Sequence, residues 1–492
     1  MMGWQRGTGV LILVCFWTAA AFAQVRVELL SYSEVARASA RESEFFESWN
    51  DVSLQRGLIR FGMRLSVHRP AATFARQADV SGLTQRYVEF RGKYFRLRLG
   101  NFYCLLGRGL TLRSFEHHAL RWDSNLDGVY FEIHHSFLDV QLLAGRPRKT
   151  RLNVAEIASS SAGGVRLPAQ YGGEVRLRVF PHLLLGGTYV YAARAPLHRK
   201  GFSRYSLSVQ MNHSFGTVYG EIAHAPYPES FQLDDGLALY LSGSLFIGSL
   251  SFLVEYKDYR NFAFYNGLLN NPPTVIREHS FTLMNRHQLV QNLNDERGFL
   301  AEVKYPVLED GLLTASYCRT ANHAGETIYR DLFLQFEKES FLGGNWLWAL
   351  ARQMEFTRQF DHFVISATYD LSDRFSIETV YEHFQATDRA TRPHRMYYDQ
   401  MITVGFSKAP KWTLSFVGEH STDHTLDQNY IPGKARTKHF FWAGGALNLR
   451  LSRKISLTLF AGSRQRGKTC IGGVCVLKPE LKGMELTLTG RF

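Results

Sequence analysis

The 492-residue chain is poor in proline and cysteine, with 14 and 5 of them, and beyond its first two dozen residues it has no long apolar run. A helix that spans a bilayer needs about 20 consecutive apolar residues, so a helical membrane protein is excluded. So few cysteines cannot staple a disulfide-dense scaffold. The sequence has no H-E-x-x-H, no pair of C-x2-C motifs and no G-x-S-x-G, which removes the common marks of zinc proteases, structural zinc and serine hydrolases. Acidic pairs such as Asp234-Asp235 and the histidine pairs His117-His118 and His134-His135 remain as the footing for a catalytic reading. Neighbours on a strand point to opposite faces, so His134 and His135 cannot share a site unaided. No enzyme activity, no cofactor and no metal site are expected.

The chain is rich in strand formers. Gly 41, Tyr 23 and Phe 36 make a glycine- and aromatic-rich profile, and the 21% of charged residues are scattered through the apolar runs. Its start has the order of a secretory signal peptide: Arg6, an apolar run from Val10 to Trp17, then small residues at Ala21 and Ala23. Cleavage after Ala23 is expected, with Cys15 a spectator in the discarded piece. Arg6 is the one charge lost with it. The 57 basic and 44 acidic residues give +13, so the mature chain keeps +12. That surplus suits an anionic solute or lipopolysaccharide phosphates; nucleic acid is not expected of an exported chain.

Period two recurs throughout the mature sequence. From Ile59 to His68 the odd positions are apolar and the even ones polar or glycine, and the pattern returns at Phe95–Gly100, Glu174–Val179 and Tyr205–Asn212. Each run has about the length of a tilted membrane strand, roughly 9 to 11 residues. A soluble sandwich also alternates, so loop lengths decide. Short links fall near Gly92-Lys93, Ser136-Phe137, Pro181-His182, Ser214-Phe215, Leu371–Asp373, Lys408–Pro410 and Ser452-Arg453. Long ones alternate with them at Cys104–Leu126, Pro147–Gln170, Asn261–Glu296, Ser421–Thr437 and Gln465–Glu480. This predicts an all-β, closed, antiparallel up-and-down transmembrane barrel of about 22 strands (about 18 to 24), with short turns on the periplasmic side.

The expected division is a signal peptide over 1–23, a short periplasmic or lumenal lead over 24–51, and the barrel over 52–492. An extra strand pair within the lead is the alternative. Met484, Leu486, Leu488 and Phe492 share one face of the final strand. They resemble the C-terminal signal read by the barrel-assembly machinery, with Gly490 departing from the usual bulky residue. Cys470 and Cys475 bracket a glycine turn in a disulfide-permissive compartment and are the disulfide candidate; Cys104 and Cys318 are expected unpaired.

The stretch Gly100–Tyr103, Gly107–Glu116 and Asp123–Gly128 resembles a family of uncharacterised Gram-negative outer-membrane barrels of about this length. The resemblance is sharpest in the first third. It implies location and architecture, and no functional residue comes with it. The same stretch carries Arg108, Arg113, Glu116, Arg121, Asp123 and Asp127 around glycines. It reads either as a loop folded into the lumen and held by arginine-carboxylate pairs, or as a solvated outer loop.

Lumen-facing positions are basic where the phase is clearest: Arg60, Arg64, His68, Arg96, Arg98, Arg176 and Arg178. Such rows favour anions, but Glu89, Glu132, Glu174, Glu302 and Glu378 share that face, so an arginine-glutamate ladder bracing the wall is the competing reading. With only 24–51 before the barrel there is no room for a plug domain. The leading functional expectation is a passive outer-membrane channel, narrowed by inward loops and biased toward anionic solutes or polymers. The second is a non-conducting scaffold that binds envelope proteins or glycans.

Overall fold

The computed structural model describes residues 25–39, 44–69, 80–118, 122–148, 168–193, 201–225, 236–262, 270, 272–286, 292, 294–390, 395–423, 426, 438–471 and 474–492. The expected signal peptide and its cleavage site lie outside these residues, as do Arg121, Asp234 and Asp235. Among the described residues there are thirty strands. The first wall strands are β1 (Arg26–Ala38), β2 (Phe45–Arg56), β3 (Ile59–Arg69), β4 (Val80–Arg91) and β5 (Phe95–Phe102). Four two-residue strands follow inside one loop: β6 (Leu105–Leu106), β7 (Leu112–Arg113), β8 (Glu116–His117) and β9 (Trp122–Asp123). The wall resumes with β10 (Leu126–His134), β11 (Leu138–Pro147), β12 (Gln170–Phe180), β13 (Leu183–Ala192), β14 (Phe202–His213), β15 (Gly216–Ala225), β16 (Gly236–Ile247) and β17 (Leu250–Arg260). Next come β18 (Asp295–Pro306), β19 (Gly311–Ala321), β20 (Thr327–Phe341), β21 (Gly344–Glu355), β22 (Arg358–Ser372), β23 (Phe375–Asp388) and β24 (Arg395–Lys408). The last are β25 (Trp412–Ser421), β26 (Phe440–Arg450), β27 (Ile455–Arg464), the hairpin β28 (Gly467–Ile471) and β29 (Val474–Lys478), and β30 (Leu481–Arg491).

Each wall strand pairs antiparallel with its neighbours in the chain, and β1 pairs with β30, closing a 24-stranded sheet. Closure removes the edges whose unpaired N–H and C=O groups could not survive in hydrocarbon. Leu29 and Phe492 exchange backbone hydrogen bonds at the seam, at 3.0 and 2.8 Å. Both termini of the barrel therefore lie at the short-turn end, as an even strand count requires.

The segment expected as a lead is instead wall. Residues Arg26–Ala38 form the closing strand, and Phe45–Arg56 pairs between it and β3. The apolar alternation fails here because the outward positions carry serines. Ser31 donates to Asn50 at 2.7 Å and Ser33 shares a 2.9 Å hydrogen bond with Ser48 across the strand pair. Mutual satisfaction of these groups makes their lipid-facing placement tolerable.

Outward side chains form apolar rows. At the short-turn end they end in aromatic groups such as Trp346 stacked on Trp348, with ring centroids 5.6 Å apart, beside Phe336, Phe341 and Tyr369. Rings of this kind mark a membrane-water interface. The inner face is less uniform than alternation suggests. In the half of the barrel nearest the long loops it contains an apolar cluster in which Ala192, Phe202, Tyr219, Ala223, Tyr259 and Leu300 from the wall meet Leu110, Phe262, Val275 and Ile276 from the loops.

Candidate functional site

Toward the short turns the inner positions of the strands open up, as at Ser208 and Gln210 of β14. Toward the long loops they are covered: Phe202, Arg204 and Ser206 of the same strand are buried. Among the described residues the covering comes from three chain segments that enter the lumen.

The first comprises 103–118 and 122–125. At Gly107 the backbone takes left-handed geometry (φ 55), and a Cβ there would stand 2.5 Å from the Glu221 carboxylate, so this position needs glycine. The tight turn aims two backbone N–H groups at the wall. Gly107 donates to Glu174 at 3.3 Å and Arg108 to Glu221 at 2.9 Å. Glu221 is itself held by Ser206 at 2.7 Å and Tyr219 at 2.6 Å. Leu106, Leu110 and Leu112 are fully buried behind this anchor. Thr188 donates to Thr111 at 3.0 Å, and on the far side Asp123 accepts from Tyr103 at 3.0 Å and from Gln85 at 3.3 Å.

Among the described residues, two of the segment's arginines rest on aromatic rings. The Arg108 guanidinium lies 4.8 Å over the Tyr219 ring and that of Arg113 lies 4.6 Å over Phe115. Asp127 belongs to the wall strand β10, where Arg148 approaches to 3.6 Å. An arginine-carboxylate pair from Glu116 to Arg64 fastens the segment to the wall. Burial favours the neutral form of Glu116, but the hydrogen bond from His118 and the Arg64 charge outweigh it and hold its carboxyl at about 2. His118 also stacks on Trp49 with centroids 4.2 Å apart.

The second segment comprises Asn270 and 272–286, which run along the inner wall past successive strands. Tyr259 of β17 donates to the Pro273 carbonyl at 2.9 Å, Arg277 pairs with Glu302 of β18, and His279 meets Asp331 of β20 at 2.7 Å. The backbone N–H groups of Thr282 and Leu283 then donate to Glu382 of β23 at 3.2 and 2.7 Å, and Arg286 reaches Glu419 of β25 at 2.6 Å. Leu283 sits among Phe360, Phe384 and Met401, and Met284 among Phe333, Ala349 and Val364. The two segments meet where Asn270 donates to the Leu110 carbonyl at 3.1 Å.

The third is the β28–β29 hairpin. Lys468 pairs with Glu278 at 3.0 Å, and Lys478 bridges Glu34 of β1 and Glu485 of β30. Arg286 also donates to Gln465 at its root. The contacts of the three segments together extend from β3 round to β30 and β1, forming a ring against the inner wall. Sequence reasoning singled out only the first segment. The second contains no alternation and few glycines, and its wall partners Glu382 and Glu419 are isolated carboxylates on otherwise ordinary strands.

The basic positions singled out from sequence face inward but are offset by carboxylates. Arg60 binds Glu28 at 2.7 Å, Arg64 binds Asp51 at 2.5 Å as well as Glu116, Arg96 binds Glu132 at 2.7 Å, and Arg98 stands 3.5 Å from Glu89. Arg176 lies 3.9 Å from Asp139, and His68 lies 3.8 Å from Glu47. Arg178 donates to the Ser136 carbonyl at the short-turn rim, at 3.0 Å. These pairs have the form of the arginine-carboxylate ladder weighed against a free anion path.

Met484, Leu486, Leu488 and Phe492 are all exposed on the outer face. Cys104 and Cys318 are free and buried. Cys470 and Cys475 stand opposite each other in the hairpin's backbone register, while their side chains lie outside the described ones. Among the described residues no group of three or more His, Cys, Asp or Glu is arranged to hold a metal.

The fold is similar to that of known outer-membrane pores. The P pilus usher PapC translocation pore superposes with a TM-score of 0.50 at 10% identity, covering 94% of this chain and 99% of that one. The usher in the E. coli P pilus tip assembly intermediate PapC-PapD-PapK-PapG gives 0.54 at 11% identity, covering 94% of this chain and 60% of that one. Pseudomonas aeruginosa OccK5 (OpdH) gives 0.40 at 10% identity, covering 78% and 98%. No curated protein matches the sequence. The profile of a family of unknown function, DUF6029, matches residues 24–362 and 325–492, and the chain belongs to that family.

Proposed function

We propose that this protein is an integral outer-membrane channel that passes solutes passively through a lumen narrowed by its own inward segments. The observation that carries this is the ring: residues 103–118, 122–125, 272–286 and the β28–β29 hairpin line the long-loop half of the wall, while the short-turn half stays open. A 24-stranded wall without such lining would leave a wide aqueous hole. The paired arginines supply no net charge to the wall, so any anion preference must come from the surplus of +12 that the chain keeps without Arg6. No catalytic step belongs to this reading. Lipid, lipopolysaccharide and the barrel-assembly machinery are its partners in the envelope.

The apolar cluster inside the lumen favours a second reading, a non-conducting barrel that holds an envelope protein or glycan. The usher in the assembly intermediate, by its description, stands in complex with PapD, PapK and PapG, and a barrel of this fold can be wide enough for such a role. Planar-bilayer recording separates the two. A channel gives small unitary conductance in the intact protein and a several-fold larger one when 272–286 is replaced by a short glycine-serine linker. Silence in both proteins, with folding confirmed by heat-modifiable gel mobility, removes the channel and leaves the scaffold.

A further inference from the structure

On the outer face, one patch at the long-loop end breaks the pattern of apolar rows. Arg319 of β19 and Arg330 of β20 are direct cross-strand partners, and their inward neighbours in sequence, Cys318, Thr320 and Asp331, are all buried on the lumen side. Both arginines therefore point away from the lumen. Like charges directly opposite each other across a strand pair are destabilising. Neither has a carboxylate within ion-pair distance among the described residues: Arg319 donates to Thr327 at 3.1 Å and Arg330 contacts the Met354 sulfur at 2.6 Å. The adjacent strands bring two more outward arginines alongside. Arg297 of β18 stands opposite Asp258, whose carboxylate is engaged by Arg260 and His323 at 3.4 and 2.8 Å, and Arg352 of β21 pairs with Asp361 at 2.6 Å.

Depth in the membrane gives the patch its meaning. From Arg330 to Lys338, the partner of Trp346, the strand runs eight residues. At about 3.3 Å per residue and a tilt of about 40° this is on the order of 20 Å along the membrane normal. The Trp346–Trp348 girdle marks one polar boundary, so Arg319 and Arg330 lie near the opposite one, at headgroup level. Directly below them the outer wall offers Phe299, Leu332 and Leu334, and Leu350 and Phe363 line a shallow groove of about 480 Å³ with Arg352 and His383 at its polar side.

We infer that Arg297, Arg319 and Arg330 form a docking site on the outer wall for the phosphate of a phosphorylated glycolipid, whose acyl chains lie along the Leu332–Leu350–Phe363 surface. A guanidinium fork binds phosphate in two-point fashion, and a phosphate between Arg319 and Arg330 removes their mutual repulsion. The inference rests on the outer-membrane placement proposed above, since it puts the long-loop end in the leaflet facing outward.

The test uses the full barrel, purified in detergent and freed of bound lipid, then titrated with diphosphoryl lipid A, with its dephosphorylated form and with phosphatidylglycerol. Binding is read by native mass spectrometry. The wild type is expected to hold diphosphoryl lipid A at least tenfold more tightly than either of the other lipids, and R319Q/R330Q to lose that difference. R374Q, on a short turn, is expected to behave as wild type. Equal retention of the dephosphorylated lipid by the wild type overturns the site whatever the variant does. Equal retention of phosphatidylglycerol overturns the choice of glycolipid. Cell fractionation reads the outer-membrane placement separately, so a barrel found there without selective binding refutes the site alone.

Discussion

Replacing Glu382 by alanine should loosen the second inward segment at one identifiable point. Its carboxylate is buried and accepts the backbone N–H groups of Thr282 and Leu283 at 3.2 and 2.7 Å. Hydrogen bonds to a charged group contribute about 1.5–3 kcal/mol each. The cost of burying the carboxylate offsets part of the pair, so about 3 kcal/mol of anchoring is expected to disappear. At about 1.4 kcal/mol per tenfold, local release of the segment becomes roughly a hundredfold more frequent. Arg277 with Glu302 and His279 with Asp331 remain, so the change is confined to about the last turn, and the barrel should keep its folded mobility on gels. Trypsin cleavage after Arg286 reports the opening. When reclosing outpaces cutting, the cleavage rate follows the open population and should rise by a similar factor. Bilayer recordings of E382A should show brief openings above the wild-type level. An unchanged cleavage rate in E382A, alongside faster cleavage in a Leu283→Asp control that breaks the apolar seat, would refute the anchoring argument.

Two further outcomes are expected. The depressed carboxyl of Glu116, at about 2 against an ordinary 4.5, contributes stability that is fully present above the ordinary value and disappears as pH falls through the folded one. Between about pH 5 and about pH 2, fluorescence of Trp49 and Trp122 beside the segment should change only toward pH 2; a transition centred near 4.5 would contradict the pairing with Arg64. Cys470 and Cys475, opposite each other in the hairpin, are expected to be joined in protein exported to an oxidising compartment. Peptide mass spectrometry without reductant should find the hairpin lighter by about 2 Da, and free thiols at both positions would rule the bond out.

Much of the wall was legible because its cause is local. Alternation at Ile59–His68 or Tyr205–Asn212 follows from strand geometry and from a bilayer on one side, so reading it needs no knowledge of neighbours. The turns at Pro181-His182 and Ser214-Phe215 came with it. Arg26–Ala38 was misread because Ser31 and Ser33 are satisfied by Ser48 and Asn50 on another strand, a relation invisible along the chain. The alternation puts the arginine rows on one face, but whether they remain free depends on partners such as Glu28 and Asp51 that arrive from adjacent strands.

By itself the sequence determined the two faces of strands such as Ile59–Arg69 and Phe202–His213, the alternation of short and long connections, and hence a closed antiparallel barrel. Tertiary structure alone decided what fills that barrel. The inward segments are irregular, and their placement rests on single long-range contacts, Arg108 N–H to Glu221 or Leu283 N–H to Glu382, between residues about a hundred positions apart. A periodic pattern can be read because a repeated environment imposes it many times over. A latch of one carboxylate on two amides is imposed once, and only the folded chain brings its halves together.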